Sequence, residues 1–429
     1  MCEDVAAEAL ASAIGTPAYV YSASAIRAAY ERLASALSGA DYRMHYSVKA
    51  NSSLAVLALI RRLGAGVDIV SGGELYRALR TGFTGSDIVF SGVGKTATEL
   101  LEAIAAGVAL INVESVAELR LLNDVASMSG SARRVPVAIR VNPEVTVETP
   151  HAYTRTGERG HKFGIPYDDA LDACRLAVSL PNIELSGLAM HIGSQISDLA
   201  PYRAGLARLV GLVHLLRSEG EWGALDDLKF LDVGGGLAVA YDDEPEPDIE
   251  EFARVVIEGV RPTGLRLLVE PGRFLVGNAG VLLTRVLYTK RSGGKDYVIV
   301  DAGMNDLLRP SHYHAYHRIG AAGTPRATPD GDRRAAVDAI AGAADIVGPV
   351  CESGDFLALD RAIGDVAAGD LLALYSVGAY GFVMASNYNA RVRPVEVLVE
   401  DGRYAVIRRR ESYDDLVRHE TSTPEWQSA

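Results

Sequence analysis

From about residue 42 to residue 270 the sequence repeats one pattern eight times, a short apolar run followed by an amphipathic segment of helical period. The runs end near Lys49, Asp68, Phe90, Asn112, Arg140, His191, Asp232 and Glu270. Strand then helix, repeated in this way, leaves few architectures open, and the one that closes on itself is the eight-stranded β/α barrel. In that fold the carboxyl ends of the strands face the active site, which is where Lys49 would stand. Three intervening helices are expected to open on capping boxes, Ser71 to Glu74, Thr96 to Glu99 and Ser115 to Glu118, and Gly82 and Gly107 to close the first two.

The pattern does not account for either end of the chain. Pro17 to Tyr21 reads as a strand ahead of the barrel, followed by a helix from Ser22 to about Leu37. After about Asn278 the runs Val281 to Tyr288, Tyr297 to Asp301, Asp345 to Val350, Leu371 to Val377, Val392 to Val399 and Tyr404 to Arg408 read as strands without regular helices between them. The expectation is a barrel over residues 22–277 and an all-β domain, a small sandwich or barrel, built from 278–429 and taking in 1–21. Gly320 to Arg334 reads as an exposed loop, and the last dozen residues as a loose tail.

A net charge of −13 argues against nucleic acid or an anionic membrane surface as partner, and an anionic substrate would have to be met by local arginines. No apolar run approaches the length that spans a bilayer. The N-terminus, Met1-Cys2-Glu3-Asp4, is acidic where a signal peptide would be basic and then apolar. Three cysteines, Cys2, Cys174 and Cys351, lie far apart, which excludes a disulfide framework and suits a reducing cytoplasm.

At the strand ends, Lys49 in His45-Tyr46-Ser47-Val48-Lys49-Ala50-Asn51 is an amine that can form a Schiff base with a carbonyl cofactor or substrate; alone, it could equally be a surface lysine ending a strand. Asp232-Val233-Gly234-Gly235-Gly236-Leu237 follows the seventh run, where barrels commonly bind phosphate, although a flexible turn would read the same. It lacks the endings of a Walker loop and the spacing of a dinucleotide fingerprint. Glu270-Pro271-Gly272-Arg273 could hold a pyridine nitrogen protonated, or simply pair Glu270 with Arg273. His191-Ile192-Gly193-Ser194-Gln195 offers an imidazole to stack on a ring and a hydroxyl for phosphate; a hydrogen-bonded structural histidine is the plainer reading. His312, His314 and His317 do not share a strand face and have no cysteine or carboxylate cluster beside them, so no metal site is expected.

These segments, with Asp301 to Pro310, Cys351-Glu352-Ser353-Gly354-Asp355 and Gly378-Ala379-Tyr380-Gly381, resemble the fold-type III pyridoxal-phosphate-dependent decarboxylases, and within them the branch acting on diaminopimelate. The resemblance runs from Tyr19 to about Arg409. It implies decarboxylation of meso-2,6-diaminopimelate to L-lysine with pyridoxal 5'-phosphate as cofactor, in a cytoplasmic homodimer with shared active sites. It further implies that Lys49 holds the cofactor covalently, His191 lies on its ring face and Glu270 pairs with its ring nitrogen. Ser194, Gly235, Gly236, Gly272, Arg273 and Tyr380 would surround the phosphate. Arg309, Tyr313 and Arg273 resemble a clamp for the distal carboxylate, with Tyr380 also at the substrate, while the partner chain would supply Glu352 for the distal ammonium and Cys351 to reprotonate the carbanion. Thr156 through Lys162-Phe163-Gly164-Ile165 resembles a lid. A free cysteine can also be a small buried hydrophobe, the expectation for Cys174. A related decarboxylase of secondary metabolism, acting on a different or carrier-bound amino acid, shares most of these motifs.

Overall fold

The computed structural model describes residues 2–130, 133–218, 228–322 and 342–427. It divides into two compact units, Ala25–Gly277 and Met1–Ser24 with Asn278–Ala429.

In the first unit eight parallel strands close on themselves: Tyr42–Ser47, Gly66–Ile69, Ile88–Phe90, Leu110–Val113, Val135–Asn142, Ile183–Ala189, Phe230–Asp232 and Arg266–Val269, counted below as first to eighth. The closure is the pairing of the eighth with the first, Leu267 opposite Tyr42. Strands buried on both faces read as continuous apolar runs, and all eight residues of the fifth are buried. Each observed strand ends within a few residues of its expected position, because the run that must be apolar to sit between lumen and helices is the run that forms the strand.

The helix starts depart from expectation in an informative way. Ser71, Thr96 and Ser115 each accept a hydrogen bond from the amide three residues on. Only the box at Thr96 is reciprocal; Glu74 and Glu118 reach one residue further back, to the amides of Val70 and Glu114. Both carboxylates thereby tie a helix to the strand end before it. Gly107 ends its helix in the left-handed conformation; Thr81 ends the earlier one, and Gly82 follows at φ +88°.

The second unit is a nine-stranded sheet in which the N-terminal strand Ala18–Ser22 lies between Gly280–Ser292, antiparallel, and Val395–Glu400, parallel. Its remaining strands are Lys295–Val300, Ile319–Ala321, Ala343–Val347, Phe356–Ala362, Leu371–Leu374 and Arg403–Arg408. The expectation missed Ile319–Ala321 and Phe356–Ala362, and three helices, Ala7–Ile14, Arg309–Tyr313 and Tyr413–Val417. Ile319–Ala321 takes the first residues assigned to an exposed loop; from residue 323 to its expected end at Arg334 that loop lies outside the described residues. Of the tail, Ser428 and Ala429 lie outside as well. Among the described residues no helix is long and apolar enough to cross a membrane.

His45, in the first strand, is 3 % exposed, and burial lowers its pKa to about 4, against a smaller opposing pull from Asp68. As pH falls from about 6.5 the unfolded chain takes up a proton that the folded chain refuses until about pH 4, so this group removes stability across that window. The loss is on the order of 3 kcal/mol. Replacing His45 with Phe should flatten the pH dependence of the urea midpoint between pH 6.5 and 4 relative to the parent protein. An unchanged slope would exclude His45 as its source.

Candidate active site

The carboxyl ends of the strands carry a buried acidic cluster with an amine at its edge. Lys49 lies two residues past the first strand in a single 3-10 turn, and its Nζ is 3.2 Å from Oδ2 of the fully buried Asp68. Ser47 donates to the same oxygen at 2.9 Å and to the carbonyl of Glu270 at 3.1 Å, which fixes the first, second and eighth strand ends together. Asn112 donates to Asp232 at 3.1 Å and to Glu270 at 3.3 Å, and Ser91 reaches Glu270 at 3.4 Å.

Burial, and then the charges of Asp232 and Asp68, push the Glu270 carboxyl well above its usual range. Burial also raises Asp232, but the Gly234 amide at 2.9 Å and Asn112 favour its charged form. Glu270 therefore holds the proton and donates it to Asp232. The suggested pairing of Glu270 with Arg273 gives way to this cluster, while Arg273 reaches the Tyr241 hydroxyl and, at 3.0 Å, Ser194 Oγ.

The glycine loop after the seventh strand is packed too closely for side chains. A Cβ on Gly235 would lie 2.2 Å from the carbonyl oxygen of Glu270, and one on Gly236, at φ +105°, would lie 2.5 Å from that of Gly193. The Gly235 amide donates to Nδ1 of His191 at 3.1 Å, which leaves the single ring proton on Nε2. Burial, and then Arg140 and Lys49, hold His191 well below its usual pKa, so this imidazole is neutral.

Residues 156–165 rest on the segments that follow the sixth and fourth strands. Thr156 Oγ1 donates to the His191 carbonyl at 2.9 Å, and the Gly164 amide donates to Glu114 at 2.9 Å. Glu114 also accepts from Arg140 at 2.5 Å, and the Arg140 guanidinium lies 5.2 Å from the Phe163 ring centre.

The structure thus brings Lys49, His191, Ser194, Gly235, Gly236, Glu270, Gly272 and Arg273 to one end of the barrel; a Cβ on Gly272 would touch Ser47 and Ala50 beside Lys49. The second unit carries the others. Arg309 and Tyr313 share the five-residue helix Arg309–Tyr313. Cys351 is exposed, its amide bonded to Asn389 at 3.0 Å, and Tyr388 hydrogen-bonds Glu352. Tyr380 has φ +57°, a conformation a tyrosine rarely holds. Cys174 is buried in its helix and burial pushes its thiol up to about 12, in keeping with a packing role. His312 packs on Tyr313, His314 on Phe356, and His317 on Arg309.

Asp68, Ser91, Asn112, Arg140 and Asp232 were not among the expected site residues. Four of the five had been placed at strand ends, and a polar side chain closing an apolar strand was the signal available. Ser91 follows the third strand and showed no such mark.

An amine at a barrel mouth, a buried carboxyl held protonated and a side-chain-free loop suit an enzyme that works through a bound carbonyl cofactor. Residues 23–277 match the pyridoxal binding domain of the pyridoxal-dependent decarboxylases, and the chain belongs to that family. It is 45% identical over 419 residues to a diaminopimelate decarboxylase of Aquifex aeolicus, covering 97% of this chain and 94% of that one. With one from Pseudomonas fluorescens it shares 46% over 424 residues, 99% and 97% of the two chains. The crystal structure of diaminopimelate decarboxylase from Helicobacter pylori complexed with L-lysine superimposes with a TM-score of 0.87 at 37% identity, covering 96% of this chain and 98% of that one.

The cluster suits a pyridoxal group on its own chemistry. Oδ1 of Asp68 and Oδ1 of Asn112 are buried acceptors without a partner among the described residues. A protonated ring nitrogen beside Glu270 would add a second positive charge to a group of acids that has only Lys49 at its edge, and the closed glycine loop with Ser194 and Arg273 suits a phosphate.

Proposed function

We propose that this chain decarboxylates meso-2,6-diaminopimelate to L-lysine and carbon dioxide, the last step of lysine biosynthesis. The observation that carries the reading is similarity over nearly the whole chain to diaminopimelate decarboxylases. Bound pyridoxal phosphate supplies an electron sink for the pair left on the α-carbon when carbon dioxide departs.

The residues divide the remaining work. Lys49 would hold the cofactor through Nζ, and Asp68 keeps that amine at the mouth of the barrel. Glu270 is the partner of the ring nitrogen: once a cation faces it, its proton is no longer needed to quiet the Asp232 charge, and the carboxylate form is favoured. Neutral His191 would lie against the bound ring and add no competing positive charge. Ser194, Gly235, Gly236, Gly272, Arg273 and Tyr380 hold the phosphate. Arg309, Tyr313 and Arg273 bind the distal carboxylate, with Tyr380 beside them, and Glu352 takes the distal ammonium. Cys351 returns a proton to the α-carbon, and residues 156–165 close over the site to exclude water.

Purified protein loaded with pyridoxal phosphate and given meso-diaminopimelate should release L-lysine and carbon dioxide in equal amounts. A cofactor absorbance band that does not respond to this compound would sink the assignment.

The proposed working form is a cytoplasmic homodimer in which Cys351 and Glu352 come from the partner. Mixing inactive Lys49→Ala with inactive Cys351→Ala protein should then restore activity, since one site of the hybrid keeps both residues. No recovery despite demonstrated subunit exchange would contradict the shared site, and fractionation of source cells tests the compartment.

A further inference from the structure

Arg309 is 7 % exposed, and the five-residue helix that carries it cannot alone fix the far end of so flexible a side chain. Its Nη1 lies 2.9 Å from Nε2 of His317, whose Nδ1 lies 2.8 Å from the carbonyl oxygen of Tyr375. A guanidinium has donors and no acceptor, so Nε2 must present its lone pair. The one ring proton is then on Nδ1 and is donated to Tyr375. His317 is thereby neutral and confined to one tautomer.

The imidazole stands on a rigid base. His317 is fully buried, and Arg361 donates to its carbonyl at 2.8 Å while stacking over Tyr316 at 3.9 Å. The Tyr375 amide donates to the Arg318 carbonyl at 2.9 Å, continuing the pairing of Ile319–Ala321 with Leu371–Leu374. One arm of the Arg309 fork is thus referenced to the sheet.

We propose that His317 is a positioning residue for substrate: as the Nδ1–H tautomer it holds Arg309 so that the rest of the guanidinium faces the distal carboxylate of a diamino dicarboxylic acid. The inference rests on the reading of Arg309 as a carboxylate-binding residue. Ordering the guanidinium in advance removes a cost that substrate binding would otherwise bear.

Two substitutions separate the two ends of the ring. His317→Asn keeps an amide N–H near the place of Nδ1 but cannot reach Arg309, whereas His317→Gln puts an amide oxygen near the place of Nε2. In the pyridoxal-phosphate-loaded enzyme, His317→Asn should raise KM for meso-diaminopimelate roughly tenfold, the usual weight of one hydrogen bond to a charged group. It should leave kcat within about threefold, and His317→Gln should bring KM back to within about threefold of the parent, smaller than that one-bond effect. Binding of cadaverine, a diamine without a carboxylate, followed by the cofactor absorbance, should be unchanged in both. A normal His317→Asn with an impaired His317→Gln would make the histidine a tether for Tyr375 and overturn the proposal. So would two normal variants, or equal losses for the diamine and the dicarboxylate. Arg309→Leu measured alongside distinguishes the failures: if it does not discriminate between the two ligands, the clamp reading itself falls; if it discriminates and the His317 variants are silent, only the positioning role falls.

Discussion

Lys49→Ala is expected to lower turnover of meso-diaminopimelate by roughly a thousandfold or more, because an amine tethered at the reacting centre is worth a very high local concentration of free amine. The loss should be chemical and not structural. Asp68 keeps the Ser47 hydroxyl at 2.9 Å after the ammonium is removed, so the thermal midpoint should move little beside the change in rate. Borohydride reduction of the parent enzyme followed by peptide mapping should place the cofactor on Lys49 and leave the variant unlabelled. Label on Lys95 would be a surprise with a physical objection behind it. That side chain is buried and donates to the Gly92 and Asn112 carbonyls at 2.8 and 2.7 Å and to Glu118 at 2.7 Å, leaving it poorly placed to attack a carbonyl. Label on any lysine other than Lys49 would overturn the assignment.

The second large effect is on selectivity. Arg309→Leu removes one partner of a charge-assisted pair and leaves the distal carboxylate poorly matched, which typically costs about 2 to 5 kcal/mol. kcat/KM for meso-diaminopimelate should fall about thirtyfold or more. L-lysine, which as product keeps the distal amine and carboxylate, should bind more weakly by a comparable factor, and cadaverine should be little affected. The substitution also leaves buried Nε2 of His317 without the donor now 2.9 Å away, at a stability cost of about 1 to 3 kcal/mol. Thermal midpoints and cofactor occupancy therefore have to accompany the kinetics, and Arg309→Lys, which keeps the charge without the fork, separates charge from geometry. Equal losses for all three compounds would give Arg309 a structural or cofactor role.

The barrel was legible because its determinants are local. A strand between lumen and helices must be apolar along its length, the helix after it must be amphipathic, and those two periods alternate plainly from Tyr42 to Val269. Lys49, His191 and Glu270 could be nominated for the same reason, since the end of an apolar run fixes which residues stand at the mouth. The second unit was harder to read. Ile319–Ala321 is only three residues long and is held by pairing with Leu371–Leu374, some fifty positions away, so no local period reveals it.

Tertiary structure alone decided how the named residues interact. Glu270 and Arg273, three positions apart, looked like an ion pair. Closing the barrel instead sets Glu270 among acids from the second and seventh strands, where burial and like charge raise its pKa and bond it to Asp232. The tautomers of His191 and His317 are likewise set from a distance, by the Gly235 amide in one case and by Arg309 and the Tyr375 carbonyl in the other. The sequence by itself determined which residues end the barrel strands, because that depends on neighbours along the chain. Their protonation and orientation depend on the dielectric and on partners supplied by other strands, and only the folded chain brings those within hydrogen-bonding distance.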